Sequence, residues 1–197
     1  LNAVGVLGCM FEKTELSAEF AEVFDGEVCM PPTWLNFKDL KKEYDVSVPA
    51  RAAGYLSVLS FQSGPGEILE KMRELGAEAF AEYIEKMDVE KKKLEEKLSG
   101  RAMQGKKKCV RTAELQNFTV LSFEELSGQC RKKNENGFEH FMEELKDRTE
   151  ARIRSGETNY PQATIDMMTE VLEWSGLTDP VMVIGFAPPL YPAYHSD

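Results

Sequence analysis

The sequence is poor in the residue clusters that catalytic and metal centres use. It contains two histidines, His140 and His195, and four cysteines that form no CxxC pair and have no neighbouring histidine to complete a zinc set. No GxSxG motif presents a nucleophilic serine, and neither histidine has an obvious partner. We therefore expect neither a catalytic residue nor a metal ligand in this chain. The cysteines, which we interpret as reduced thiols, are Cys9, Cys29, Cys109 and Cys130.

Long apolar runs and a basic surplus are also missing. No run approaches the roughly 20 apolar residues that a bilayer span needs, and no cationic start followed by an apolar block marks an export signal. The net charge of −10 would repel phosphate backbones and anionic lipid head groups. These features predict a cytoplasmic protein that binds neither nucleic acid nor membranes.

What the chain does contain is enough apolar material for a core. It has 197 residues, of which 42% are hydrophobic. Residues 1–11 are apolar enough for a buried helix, and Gly5 and Gly8 would let that helix approach a sheet closely. Residues 33–37 alternate in polarity after two prolines, and residues 48–61 alternate between two faces. Both segments are therefore predicted to be strands.

The strongest pattern is a helical one in the middle of the chain. Apolar residues at helical spacing predict a helix over residues 68–87, which continues into the Lys and Glu run of residues 90–97. The Gly-Pro-Gly at residues 64–66 is interpreted as its start rather than as a phosphate cradle, because no Lys-Ser/Thr pair follows. The later predicted elements are a basic loop at 100–108, a strand at 118–123, a helix beginning with Glu124 and Glu125, and helices at 138–153 and 160–174.

The last apolar run, residues 180–187, differs from the earlier strands. It is almost continuously apolar, which is typical of a strand buried on both faces in a parallel α/β sheet. We infer that the chain leaves one sheet and enters another near Thr178. The predicted organisation is therefore an α+β domain over residues 1–178 and, over residues 179–197, a return strand and loop toward a neighbouring α/β domain.

The two histidines are the only starting points for a metal site. His140 lies among apolar residues in GFEHFMEEL, which predicts a partly buried helix histidine. His195 and Asp197 form a His-x-Asp pair after an apolar strand, a spacing that can aim two zinc ligands at one point. A dinuclear site needs several further carboxylates and another imidazole, so this pair alone does not predict one. The adjacent pair Glu143 and Glu144 is interpreted as part of a solvated helix face.

Several stretches resemble one known family. Residues 27–61 carry the order E-V-x-x-P-P-T-x-L-x-F-x-D-L-K, then Y-D-V and an apolar strand. Residues 65–84 (PGEILEKMRELGAEAFAEYI), 118–126 (FTVLSFEEL) and 180–192 (PVMVIGFAPPLYP) follow in the same order. Together they resemble the RocB-like arginine-utilisation proteins, which belong to the zinc peptidase family that includes aminoacylase and succinyl-diaminopimelate desuccinylase.

This resemblance implies a lid rather than a catalytic centre. Members of the family have an α/β domain with two zinc ions and an inserted ferredoxin-like lid, whose antiparallel sheet carries helices on one face. The resemblance places this chain at the lid, enlarged by helices over residues 128–178, and at the first strand after it. The family's His-x-Asp motif comes before the lid, so no catalytic residue is transferred to this sequence.

The implied function is that of a non-catalytic lid and dimerisation fragment of a zinc-dependent amidohydrolase or peptidase. Its partners would be the remainder of the parent chain, a second copy in a homodimer, and a small amino-acid-derived substrate of the parent. The fragment itself would hold no cofactor, and the parent would hold two zinc ions. The candidates for residues near the substrate pocket are Tyr191, Tyr194 and His195, at the end of the last strand.

Two alternatives stay open. The chain could be a stand-alone interaction module that pairs through sheet edges or through the helix face of residues 68–87. It could also be a self-contained metalloenzyme that uses His195 and Asp197, which predicts stoichiometric zinc in the purified chain.

Overall fold

The computed structural model describes residues 1–43, 46–99 and 117–189, without the side chains of residues 98 and 99. The predicted basic loop at residues 100–108 and Cys109 lie outside the described residues. The helices of the described residues are α1 (Ala3–Thr14), α2 (Pro65–Ser99), α3 (Phe123–Lys133), α4 (Glu135–Arg154) and α5 (Tyr160–Ser175), with a 3-10 turn at Ala18–Phe20. The strands are β1 (Val23–Phe24), β2 (Glu27–Val28), β3 (Thr33–Asp39), β4 (Ala52–Ser57), β5 (Thr119–Ser122) and β6 (Val181–Ile184).

The predicted α+β class is confirmed, but the sheet arrangement differs from the prediction. Within the described residues the strands form three two-stranded sheets: β1 with β2, β3 with β4, and β5 with β6. The first two pairs are antiparallel, whereas β5 and β6 are parallel. Parallel strands need a long crossover connection, and the three helices between β5 and β6 supply one. The prediction of one antiparallel sheet with helices on one face is therefore wrong for this part of the chain.

The helices follow the sequence pattern closely, whereas one strand does not. The predicted helices at residues 1–11, 138–153 and 160–174 correspond to α1, α4 and α5, and Gly176 ends α5 with a φ of 68°. The predicted strand at residues 48–61 is shorter, because β4 covers only Ala52–Ser57. The backbone N–H groups of residues 61–63 donate to the Glu22 carboxylate instead of a strand ladder.

One hydrophobic core joins α1, α2 and the β3–β4 hairpin. Its buried members include Cys9, Met10, Met72 and Ala79, and Trp34 packs against them. The close approach that glycine allows here is between two helices. A Cβ atom on Gly5 of α1 would lie 2.3 Å from the ring of Tyr83 on α2. The prediction that these glycines serve contact with a sheet therefore names the wrong partner for Gly5.

A second hydrophobic core joins α3, α4 and α5. Phe138, Leu126, Leu145 and Val171 are almost completely buried there. Ser122 begins α3 with a capping box, in which its side chain accepts from the Glu125 N–H and the Glu125 side chain accepts from the Ser122 N–H. These contacts account for the predicted strand-to-helix junction.

The last strand lies between the two cores. Val181 and Val183 pack against the second core, whereas Met182 and Ile184 pack against the first. Parallel pairing and apolar contacts on both faces confirm the predicted strand over Val181–Ile184, although its residues are half-buried rather than buried. The partner strand β5 belongs to the segment that we assigned to the lid. The domain boundary near Thr178 stays a prediction.

Candidate interaction surface

The predicted pocket residues Tyr191, Tyr194 and His195 lie outside the described residues, as does Asp197. The structure therefore neither brings them together nor separates them. Within residues 1–43, 46–99 and 117–189, no group of three or more His, Cys, Asp and Glu side chains is placed to hold a metal ion.

His140 is more exposed than the sequence predicted. Its side chain on α4 is 73% exposed, and its Nε2 atom lies 3.4 Å from Oε1 of Glu144, one helical turn away. The prediction of a partly buried histidine is wrong because Phe138 and Met142 occupy the buried face of the helix. The interpretation of Glu143 and Glu144 as part of a solvated face is confirmed, since both are exposed.

Three of the cysteines are buried thiols without a disulfide. Cys9, Cys29 and Cys130 are free, and burial raises the pKa of each thiol. A raised pKa reduces the fraction of thiolate, which is the reactive form. Their prediction as reduced thiols is confirmed, and Cys9 and Cys130 serve as small apolar side chains in the first and second core, respectively.

A half-exposed aromatic cluster, made of Phe11, Trp34 and Phe37, is the most distinctive surface feature. The ring centroids of Phe11 lie 5.8 Å from Trp34 and 6.0 Å from Phe37, and those of Trp34 and Phe37 lie 5.9 Å apart. Phe11 is 36% exposed and Phe37 is 38% exposed. The cluster therefore presents aromatic surface to solvent where α1 meets the hairpin.

The position of Trp34 is fixed by hydrogen bonds. Its Nε1 donates to Oγ1 of Thr14 at 2.7 Å, and its backbone N–H donates to Oε2 of Glu15 at 2.7 Å. The hydroxyl of Thr14 in turn donates to the Met10 carbonyl at 2.7 Å. Because the polar end of the indole is satisfied inside the fold, the cluster is preorganised before any partner binds.

Further apolar side chains lie close to the cluster in sequence. Six exposed large hydrophobic residues fall between positions 23 and 37, and Leu35, at the bulge of β3, is 62% exposed. In the part of the chain that the structure describes, β3 and β4 pair only with each other. Each therefore has an outer edge at which a further strand can pair, except at the Trp34 N–H of β3, which already donates to Glu15.

The carboxylate of Glu22 holds the loop that leads into α2. It accepts hydrogen bonds from the backbone N–H of Phe61 at 2.6 Å, Gln62 at 2.7 Å and Ser63 at 3.0 Å. Hydrogen bonding by the Ser63 side chain and by these N–H groups outweighs burial and lowers the pKa of Glu22 to about 2. The loop is thus fixed by an acidic side chain of the protein itself.

The sequence carried a signal for the aromatic cluster but none for the Glu22 contact. Trp34 and Phe37 are close in sequence, and Phe11 ends the apolar run of α1, so their proximity needed only the docking of that helix on the strand. The Glu22 carboxylate meets residues about 40 positions away, and no local pattern marks such a partner.

None of the helices that the structure describes has the length and apolarity to span a bilayer.

No protein-family model matches the chain. A curated relative, the uncharacterized protein YqjN of Bacillus subtilis (strain 168), is 28% identical over 196 residues. The match covers 100% of this chain and 33% of YqjN, so the chain spans about a third of the relative's length. No solved structure matches.

Proposed function

We propose that this chain is the non-catalytic lid and dimerisation module of a longer, cytoplasmic, zinc-dependent amidohydrolase or peptidase that acts on amino-acid derivatives. The observation that carries the proposal is the preorganised aromatic cluster beside strand edges that pair with nothing else in the described residues. The resemblance of residues 27–61 to RocB-like proteins supports the family, and the coverage of a third of YqjN is compatible with a module of a longer protein.

The dimerisation role rests on the physical chemistry of the hairpin. Exposed apolar surface favours contact with another surface, and the outer edge of a strand is a template for pairing. A second copy offers the same apolar hairpin and the same edge, so a two-fold arrangement would bury both at once. The net charge of −10 opposes this association only weakly at physiological salt, because charges farther apart than about 8 Å are screened.

The zinc ions of such a parent would be held elsewhere in the longer protein. His140 is the one histidine among the described residues, and it lies in solvent beside Glu144. This pair does not fit a dinuclear zinc site, which needs several convergent imidazoles and carboxylates. We therefore assign this chain no step of the hydrolysis. Its role would be to close over the substrate and exclude water, and Tyr191, Tyr194 and His195 stay the candidates for substrate contact.

Sedimentation velocity tests the dimer. We expect the chain to be dimeric at micromolar concentration, and Leu35→Asp to shift it to a monomer because a charge would enter the apolar interface. Leu94→Asp is the matched control, since Leu94 is also exposed, at 47%, but lies near the end of α2. A wild-type monomer at all concentrations, or dissociation by Leu94→Asp instead of Leu35→Asp, would contradict the proposed interface.

The alternative is an interaction module, independent of any hydrolase, that pairs with a partner through the strand edges or through the helix face of residues 68–87. It predicts no amide hydrolysis in any longer protein that contains the chain. A self-contained metalloenzyme built on His195 and Asp197 predicts one or more equivalents of zinc in the purified chain. Metal analysis of the chain and hydrolysis assays of the longer protein separate the three functions.

A further inference from the structure

The two-stranded sheet of β5 and β6 has the layout of an α/β sheet. Its register pairs Thr119 with Val181 and Ser122 with Ile184 in parallel. Both faces carry apolar contacts, with α2 and the first core on one side and α3 to α5 on the other. A Cβ atom on Gly76 of α2 would come within 2.9 Å of the Met182 sulfur, so α2 packs directly on the sheet. Parallel sheets are found almost only in this covered setting, usually with more than two strands.

The exposure of the two strands differs. Leu121 and Ser122 of β5 are buried, with 6% exposure each, whereas Thr119 at its start is exposed and Val120 is half-buried. All four residues of β6 are only half-buried, although alternate side chains pack on opposite cores. On its outer side β6 pairs with no other described strand. This edge is the incomplete part of the sheet within the described residues.

The hydrogen-bond ladder identifies the backbone groups at that edge. The Thr119 N–H donates to the Pro180 carbonyl at 3.0 Å. Along a strand, the backbone N–H and C=O groups of every second residue point toward the same neighbouring strand. Because Pro180 bonds to β5, the backbone groups of Met182, two positions later, also point toward β5. The N–H and C=O groups of Val181 and Val183 therefore point away from β5, toward the open edge.

We infer that a further β-strand pairs with the outer edge of β6 through the backbone of Val181 and Val183, and that this strand belongs to the same polypeptide in its longer form. The inference rests on the proposed function, in which the chain is one module of a longer protein. The match to only 33% of YqjN leaves ample polypeptide to supply the strand. The module would then join the rest of the protein through a continuous sheet, and α3 to α5 would cover that sheet.

Residue-resolved hydrogen exchange tests the inference, with the 197-residue chain compared to the longer protein that contains it. In the isolated chain we expect the amides of Val181 and Val183 to exchange rapidly, and those of Leu121 and Ile184 to be protected. In the longer protein, exchange at Val181 and Val183 should slow about tenfold or more, because both amides gain partners. The amide of Leu145, in the buried core of α4, is the control and should exchange equally in both proteins.

Three outcomes overturn the inference. Equal, rapid exchange at Val181 in both proteins means that no strand is added. Protection in the isolated chain that grows with concentration means that a second copy covers the edge, and protection independent of concentration means that the chain covers it itself. Chelator-sensitive hydrolysis by the longer protein would leave the proposed function standing in each case. Slowed exchange in the longer protein without hydrolysis would support the added strand and reject the function.

Discussion

The ionised carboxylate of Glu22 contributes to the stability of the fold. Three backbone N–H groups converge on it, and its pKa falls from the usual 4.5 to about 2. A carboxyl group with a lowered folded-state pKa contributes stability that is present above pH 4.5 and is lost as the pH falls toward 2. Below that range the contribution is absent.

Glu22→Gln should therefore lower the free energy of unfolding at pH 7 by about 1 to 3 kcal/mol, because hydrogen bonds to a charged group are lost. The difference from the wild type should shrink as the pH falls from 4.5 to 2. Urea denaturation at several pH values measures both effects. Glu27→Gln is the control, since Glu27 is exposed on β2. An equal loss in both variants, or a difference that is constant with pH, would contradict this role.

Gly54 on β4 is a second residue with a specific steric role. A Cβ atom there would lie 2.5 Å from the Asn36 carbonyl oxygen and 2.5 Å from the Trp34 ring. Gly54→Ala should therefore lower the free energy of unfolding by about 1 to 3 kcal/mol, because a backbone oxygen cannot move aside without breaking the strand pair. Thermal unfolding would measure the change in stability. Near-ultraviolet circular dichroism would report the packing of aromatic side chains, including Trp34. Unchanged stability and an unchanged near-ultraviolet spectrum would show that the hairpin tolerates a methyl group.

At the scale of single residues, the sequence predicted the state of the cysteine thiols better than the burial of His140. The prediction of reduced thiols is confirmed for Cys9, Cys29 and Cys130, whereas Cys109 lies outside the described residues. His140 was placed in a partly buried setting because its neighbours are apolar. On a helix those neighbours point elsewhere, and the buried face falls on Phe138 and Met142 instead.

At the scale of elements, the contact of α1 with α2 offers a matched pair of glycines. A Cβ atom on Gly5 would clash with the Tyr83 ring, whereas one on Gly8 would meet nothing within 4 Å. Gly8→Ala should raise the free energy of unfolding by about 0.5 to 1 kcal/mol, since alanine is the better helix former. Gly5→Ala should lower it, because the overlap outweighs the same helix gain.

Urea denaturation of the two variants side by side gives the comparison. Each changes one helical glycine of α1 to alanine, so intrinsic helix propensity cancels and the difference reports packing on α2. Stabilisation of equal size in both would show that Tyr83 moves aside at no cost and that the close approach of α1 to α2 is not needed.

Helices were predicted well and sheets poorly, for a physical reason. The apolar spacing of α2, α4 and α5 is contained within each segment, and the left-handed Gly176 marks the end of α5 locally. Strand pairing depends on distant residues. The parallel partner of β6 lies about 60 positions earlier, and Glu22 shortens β4 from nearly 40 positions away. The sequence still predicted that β6 has apolar contacts on both faces, because its apolar run is almost continuous.

At the scale of the whole molecule, two hydrophobic cores share β6, and α2 packs on the sheet that separates them. The two proposed binding surfaces lie at different places, one on the β3–β4 hairpin and the other at the outer edge of β6. This separation allows the two proposed contacts, with a second copy and with the rest of a longer chain, to form at the same time. Together these two contacts would give the chain the connecting and covering role that we propose for it.

Amide hydrolysis tests the central claim most directly. The purified 197-residue chain and the longer protein that contains it would be assayed with a panel of N-acyl amino acids, each with and without a metal chelator. The account predicts no turnover above the blank by the isolated chain, and turnover by the longer protein that chelation abolishes and added zinc restores. Turnover by the isolated chain at an enzyme-like rate would contradict it.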